Sequence, residues 1–122
     1  MLVAQNLVPN YSFDTLTDCP SDVGYQGPLY APPWDGPTAG TPDIFNVCAT
    51  NPIVGVPNNF GGTQEPLTGD GYGGIICHLP TYECREYMMA PLIEPLAGGQ
   101  WYHVSFYVNL GENFNCGIEK LG

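Results

Sequence analysis

The most regular alternation of hydrophobic and polar residues lies near the end of the chain, in the stretch WYHVSFYVNL at residues 101–110. Successive side chains of a β-strand point to opposite faces, so a strand here has two different sides. The apolar side consists of Tyr102, Val104, Phe106, Val108 and Leu110. The other side consists of Trp101, His103, Ser105, Tyr107 and Asn109. The pattern therefore predicts a strand with its apolar side in the core and its aromatic, polar side exposed.

Shorter apolar runs predict further strands, and turn-rich stretches separate them. The predicted strands are 6–14 (NLVPNYSFD), 43–48 (DIFNVC), 73–79 (GGIICHL) and 84–92 (CREYMMAPL). Pro9 would confine the first of them to a sheet edge or a bulge. Long loops at 16–40 and 55–74, and a turn at 94–100 (EPLAGGQ), contain most of the glycine and proline. We predict an all-β fold in one domain.

The charge of the chain limits its partners. Twelve acidic residues against two basic ones give a net charge of -10, so nucleic acid and anionic membranes would be repelled. No helical span of about 20 apolar residues is present, so no membrane insertion is expected. The carboxylates suit a hard cation such as Ca²⁺, while acidity for solubility alone is an equal alternative.

The five cysteines and the single lysine indicate an oxidising, extracellular compartment. Residues 1–5 (MLVAQ) end in a small residue before a polar one, and we interpret them as the remnant of a secretory signal, with residues 6–122 as the mature domain.

Two disulfide bridges are expected. A bridge between Cys19 and Cys48 would close the long loop and contribute about 3 to 4 kcal/mol in the chain-entropy model. Cys77 and Cys84 flank a turn between two predicted strands, at a spacing compatible with a second bridge, which leaves Cys116 over. Zinc is the weaker alternative, because CHLPTYEC lacks a fourth ligand nearby.

The polar side of the 101–110 strand suits an uncharged, amphipathic ligand such as a sugar. The candidate contact residues are Trp101, His103, Tyr107 and Asn109, with Tyr82. The alternative is that this side packs under a loop or faces water.

No serine or cysteine nucleophile lies in a recognisable catalytic setting. Two of the three acids Asp70, Glu83 and Glu86 could converge as a hydrolytic pair. Any chain with twelve acids offers such pairs, so we predict no enzyme activity.

Several blocks, in order along the chain, resemble a known family. They are NLVPNYSFD, APPWDGPTAGTPDIFNVC, GVPNNFGGTQEPLTGDGYGGI, REYMMAPLIEPLAGGQWYHVSFYVNL and GIEKLG. The family consists of exported domains at the N-terminus of Bacteroidetes cell-surface and outer-membrane proteins. These domains look like carbohydrate-binding modules of the galactose-binding-like jelly-roll class, and the resemblance covers nearly all of residues 6–122.

The resemblance implies a jelly-roll β-sandwich with long disulfide-stapled loops and a structural Ca²⁺. Asp14 and Glu119 match the positions of the family's calcium ligands near the two chain ends. Trp34 matches a family tryptophan, which we interpret as a core residue under the long loop. Related domains usually continue past the block that matches GIEKLG, so either this sequence is a fragment or its terminal strand is short. If a strand edge is left unpaired, neighbouring copies could complete the sheet by strand addition.

Two functions follow as expectations. The first is a non-catalytic extracellular module that binds neutral glycans through the aromatic, polar side of the 101–110 strand. The alternative is a structural or adhesive cell-surface subunit that self-assembles into an extracellular polymer, in which the same side contacts a cell-surface protein or another copy.

Overall fold

The structure, a computed structural model, describes residues 4–24, 29–79, 81, 84–115 and 117. The regular structure of these residues consists of two small antiparallel sheets and one turn of 3₁₀ helix, Pro52–Val54. Strand β1 (Asp43–Asn46) pairs with β4 (Gly71–Gly74), and β2 (Asn58–Asn59) pairs with β3 (Gly62–Thr63). The described residues are therefore mostly non-helical and their strands are antiparallel, as the all-β prediction requires.

Strand β1 forms the centre of the described structure, and all four of its residues are buried. Ile44 and Phe45 point to opposite faces and enter different apolar groups. The ring of Phe45 stacks on Tyr72 of β4 at 5.2 Å and on Phe60 at 5.7 Å. Gly74 allows this packing, because a side chain there would overlap the Phe45 ring. The prediction of a strand within 43–48 is confirmed.

The main core cluster lies on the Ile44 face of β1. It consists of Leu29, Ala31 and Ile44, with Phe13, Leu16, Tyr30, Trp34 and Met88 packed around them. The Trp34 ring lies 5.0 Å from that of Phe13, and its Nε1 donates to the carbonyl of Asn10 at 2.9 Å. The prediction that Trp34 is a core residue is confirmed.

The predicted strand at 6–14 is wrong, because residues 8–13 form a series of turns and bends. Asn10 and Phe13 adopt positive φ angles of 45° and 58°. The Asn10 side chain makes hydrogen bonds that hold this segment in place without a neighbouring strand. Its Oδ1 accepts from the Thr15 amide at 3.0 Å, and its Nδ2 donates to the carbonyls of Thr15 and Pro32, both at 2.9 Å. Asparagine tolerates this backbone region better than most residues, so a turn forms where the apolar pattern predicted a strand.

The disulfide prediction is confirmed for one pair. Cys19 and Cys48 are bonded, with their Cα atoms 5.5 Å apart. Cys77 and Cys84 are free thiols, so the predicted second bridge is not formed. The Glu86 amide donates to the Ile76 carbonyl at 2.8 Å, and an antiparallel register through that pair places Cys77 opposite Arg85 rather than Cys84. Cys116 lies outside the described residues.

Two of the remaining predicted strands form only in part. In the 73–79 stretch, strand β4 ends at Gly74. In the 84–92 stretch, Met89 makes an isolated antiparallel bridge with Asp35, in which each amide donates to the other's carbonyl at 2.8 Å. The turn predicted at 94–100 is present at Gly98–Gly99, where Gly99 has a φ of 74°.

The prediction of a core strand at 101–110 is wrong in its main feature. These residues have no strand partner within the described chain, and all ten are exposed, including the apolar side that was expected in the core. A single strand cannot bury a face or pair its own backbone groups. The apolar side is therefore exposed because no neighbouring described segment covers it.

Candidate functional site

The stretch Trp101–Leu110, which we name the exposed segment, is the most unusual feature of the described surface. It contains no helix, strand, turn or bend. Trp101 is 100% exposed, Val104 82% and Tyr107 80%, so residues of both sides face solvent. Single exposed apolar residues are ordinary, whereas a continuous exposed apolar stretch marks an interaction site.

Contacts hold the chain on the N-terminal side of the exposed segment. The Ile93 amide donates to the carbonyl of Leu7 at 2.9 Å. The Ala97 amide donates to the hydroxyl of Tyr102 at 2.7 Å, across the Gly98–Gly99 turn. The segment therefore begins at a fixed turn.

Stronger contacts hold the C-terminal side. The Glu112 carboxylate accepts from the Thr63 amide of β3 at 2.8 Å, and the Asn113 side chain donates to the Phe60 carbonyl at 2.9 Å. Phe114 meets Phe60 edge to face, with ring centroids 5.9 Å apart. Because Phe60 stacks on Phe45 of β1, this row of aromatic rings connects the end of the exposed segment to the central strand.

Four of the five predicted glycan contacts lie on the exposed segment, and all four are exposed. These four residues are Trp101, His103, Tyr107 and Asn109. Tyr82, the fifth, lies outside the described residues. The four side chains are therefore accessible to a ligand from solvent.

The predicted calcium ligands are only partly described. Asp14 is exposed, and its Oδ1 accepts from the Asp70 amide at 2.7 Å. Its carboxylate lies against Gly69, where a side chain would overlap it and where φ is 70°. Glu119 lies outside the described residues. No group of three His, Cys, Asp or Glu side chains in the described ranges is arranged to hold a metal ion, and the calcium site stays a prediction.

A pair of buried carboxyl groups is the feature that sequence reasoning missed. The Glu86 carboxylate accepts from the Thr41 amide at 3.1 Å, the Thr41 hydroxyl at 3.2 Å and the Ile76 amide at 2.7 Å. The buried Asp43 side chain accepts from the Gly24 amide at 2.7 Å. Burial raises the pKa of Asp43 to about 6, and the nearby charge of Glu86 adds to the shift. The sequence offered no direct signal, because Glu86 was one of many acids and Asp43 was the first residue of a predicted strand.

These contacts bear on the predicted roles of the acids and thiols. Glu86 connects three segments through both carboxylate oxygens, which is a structural role. Asp70 is exposed, and Glu83 lies outside the described residues.

Burial raises the pKa of the Cys77 thiol, the Glu86 charge raises it further and Arg85 opposes the shift. A raised pKa keeps this thiol protonated and weakly nucleophilic.

No protein family model, curated protein or solved structure matches the chain. Among the described residues, no helix is both long and apolar enough to cross a lipid bilayer.

Proposed function

We propose that the protein is a non-catalytic, extracellular structural subunit that associates through the exposed segment, and that its chain builds a jelly-roll β-sandwich. One observation carries the proposal. The exposed segment has the alternating side-chain pattern of a β-strand, and both of its sides are exposed. Its backbone has no ladder partner among the described residues. Unpaired strands add readily to the sheet of another molecule, since main-chain hydrogen bonds supply affinity and alternate side chains supply specificity.

The exposure of the segment supports an intermolecular role. On its apolar side Val104 is 82% exposed, Phe106 69% and Val108 67%, so these side chains are open to a partner. Association that covers the exposed segment would remove this apolar surface from water.

The fixed ends of the segment also support the proposal. A tail tethered at one end would lose more conformational freedom on pairing than a stretch held at both. Here the Gly98–Gly99 turn precedes the segment, and Glu112 and Phe114 hold the chain after it. The Cys19–Cys48 bridge is compatible with the extracellular location that we propose.

Light scattering after size-exclusion chromatography tests the proposal. Wild-type protein should form concentration-dependent species above monomer mass, and the double variant Val104→Lys/Phe106→Lys should remain monomeric. The matched control is Val47→Lys/Leu67→Lys, which makes the same charge change at two exposed apolar residues outside the segment and should associate like wild type. A wild-type protein that stays monomeric at high concentration would contradict the proposal.

Glycan binding is the second candidate, and the full exposure of Trp101 beside polar neighbours favours it. A sugar ring could stack on Trp101 or Tyr107 while His103 and Asn109 bond its hydroxyl groups. The double variant Trp101→Ala/Tyr107→Ala should then lose retention in glycan affinity gels, whereas the exposed control Tyr11→Ala should keep it. Equal retention of the double variant and wild type would reject this site.

Structural Ca²⁺ is part of the same proposal. Asp14 supplies one carboxylate near the start of the chain, and Glu119 is the second ligand that the family resemblance implies. The thermal unfolding temperature of wild type should then be higher with Ca²⁺ than with a chelator. The unfolding temperature of Asp14→Asn should be the same in both conditions. Identical wild-type curves in the two conditions would reject the calcium site.

A further inference from the structure

We propose that the strand partner of the exposed segment is the same segment of a second copy, paired antiparallel about a two-fold axis at Ser105. This inference rests on the proposed function, because it names the partner and the register for the same surface. A two-fold interface places one surface patch against itself, so the patch must be self-complementary. The side-chain pattern and the charge pattern of the segment both meet this condition.

The alternation of the side chains restricts the two-fold axis to a residue rather than to the gap between two residues. In an antiparallel pair, directly opposite residues lie on the same face, so like faces coincide only when odd positions oppose odd positions. A pair centred on Ser105 overlaps almost the whole segment and satisfies this rule. The opposed pairs are then Trp101 with Asn109, Tyr102 with Val108, His103 with Tyr107, and Val104 with Phe106.

These opposed pairs are favourable. Tyr102 with Val108 and Val104 with Phe106 are aromatic residues opposite β-branched ones, each worth about 0.2–1 kcal/mol in antiparallel sheets. Each pair occurs twice because of the two-fold axis. The pairing joins the apolar sides of both copies into one continuous face and the aromatic, polar sides into the other.

The distribution of charge favours a second copy in this orientation. Residues 95–111 contain no Asp, Glu, Lys or Arg, although the chain as a whole carries -10. Two acidic molecules can therefore approach through this stretch without placing charges in contact. Glu94 and Glu112 flank it. A parallel, in-register pair would set each of these carboxylates opposite its own copy, which is destabilising, whereas the antiparallel register sets Glu112 opposite Gly98.

The backbone of the segment is also suited to pairing. It contains no proline, so every residue retains an amide donor for a ladder. The described residues leave space beside the preceding turn, since a side chain added at Gly98 or Gly99 would meet no other atom within 4 Å. This open space is compatible with a neighbouring strand that continues to the end of the segment.

Cysteine cross-linking tests the register. The background variant replaces Cys77, Cys84 and Cys116 by serine, retains the Cys19–Cys48 bridge, and is first checked for wild-type association by light scattering. Under mild oxidation, Ser105→Cys should form a disulfide-linked dimer on non-reducing gels, because position 105 opposes itself. His103→Cys alone should form none, and an equimolar mixture of His103→Cys with Tyr107→Cys should form one.

Each result has one meaning. Cross-linking of His103→Cys alone as readily as Ser105→Cys indicates a parallel pair, which overturns this inference and leaves the proposed function standing. An associating background with no cross-link at any of these positions places the contact elsewhere and also overturns the inference. A monomeric wild type rejects both proposals.

If the serine background fails to fold, wild-type protein provides the same test. In a mixture of isotope-labelled and unlabelled copies, intermolecular nuclear Overhauser effects should connect the Val104 methyl groups with the Phe106 ring. Contacts between Val104 methyl groups of two copies, without Val104–Phe106 contacts, would contradict the antiparallel register.

Discussion

At the scale of single residues, the hydrogen bonds of the Asn10 side chain stabilise a turn where a strand was predicted. Its carboxamide makes three hydrogen bonds that hold the turn at 8–13 against the segment around Pro32. Its backbone carbonyl also accepts from the indole of Trp34. The same asparagine begins an Asn-Tyr-Ser sequon, but both amide hydrogens are already used, so the side chain is not free to accept a glycan without losing these bonds.

Asn10→Asp should lower the free energy of unfolding by about 1–3 kcal/mol. The new carboxylate keeps the bond from the Thr15 amide but places an oxygen against the carbonyls of Thr15 and Pro32. Asn6→Asp is the matched control, because Asn6 uses only its oxygen, which accepts from the Val8 amide at 3.0 Å. Urea unfolding followed by tryptophan fluorescence measures both changes, and equal stabilities for the two variants would contradict this role of Asn10.

Asp43 should make stability depend on pH in a defined direction. Its folded-state pKa of about 6 lies above the ordinary value of 3.8, so the folded state binds the proton more tightly than the unfolded state. This contribution is present below pH 4 and is lost as the pH rises through 6. The loss is on the order of 2 kcal/mol.

The comparison with Asp43→Asn isolates this group from the other carboxylates. Asparagine retains an acceptor for the Gly24 amide and removes the titration. The stability of the variant relative to wild type should rise between pH 4 and pH 7, measured by urea unfolding at each pH. A difference that does not change with pH would show that Asp43 titrates normally.

At the scale of elements, the sequence predicted those parts that depend on buried apolar side chains or on a covalent bond. The strand within DIFNVC, the Cys19–Cys48 bridge and the core position of Trp34 were all correct. The turns at 8–13 were missed because they depend on the hydrogen bonds of Asn10, which no hydrophobic pattern reports. The pairing of Glu86 with Thr41 and Ile76 joins residues far apart in the chain, so only the structure reveals it.

The alternating pattern at 101–110 predicted both a strand and the burial of its apolar side in the core. Alternation indicates which residues would share a face, but burial requires a second surface, and the described chain supplies none. The sequence placed Trp101, His103, Tyr107 and Asn109 on one side of a strand; all four are exposed, and their role as a ligand site stays a prediction. It did not predict that the opposite side would be exposed as well.

The row of aromatic rings from Tyr72 to Phe114 should determine how firmly the exposed segment is held. Phe60→Ala removes the ring between Phe45 and Phe114 and should lower the free energy of unfolding by about 2 kcal/mol, less than for a fully buried ring. Tyr11→Ala, at an exposed tyrosine outside the row, should change it by less than about 0.5 kcal/mol. Urea unfolding compares them, and a Phe60→Ala protein as stable as the control would show that the row adds no stability.

At the scale of the whole molecule, the described chain combines a small, well-packed centre with a long uncovered apolar segment. The centre is stabilised by the β1–β4 pair, the Cys19–Cys48 bridge and the hydrogen bonds of the buried Glu86 carboxylate. The segment contributes little to that centre beyond its two fixed ends. This division is expected of a subunit whose remaining sheet pairing comes from another molecule.

Hydrogen exchange of the backbone amides of residues 101–110, measured in dilute and in concentrated protein, tests this account most directly. Unpaired amides should exchange rapidly in dilute monomer, and strand pairing should protect them as the protein associates, while the amides of β1 remain protected in both. Protection of the exposed segment should therefore increase with protein concentration. Rapid exchange at every concentration, or equal protection at high dilution, would contradict it.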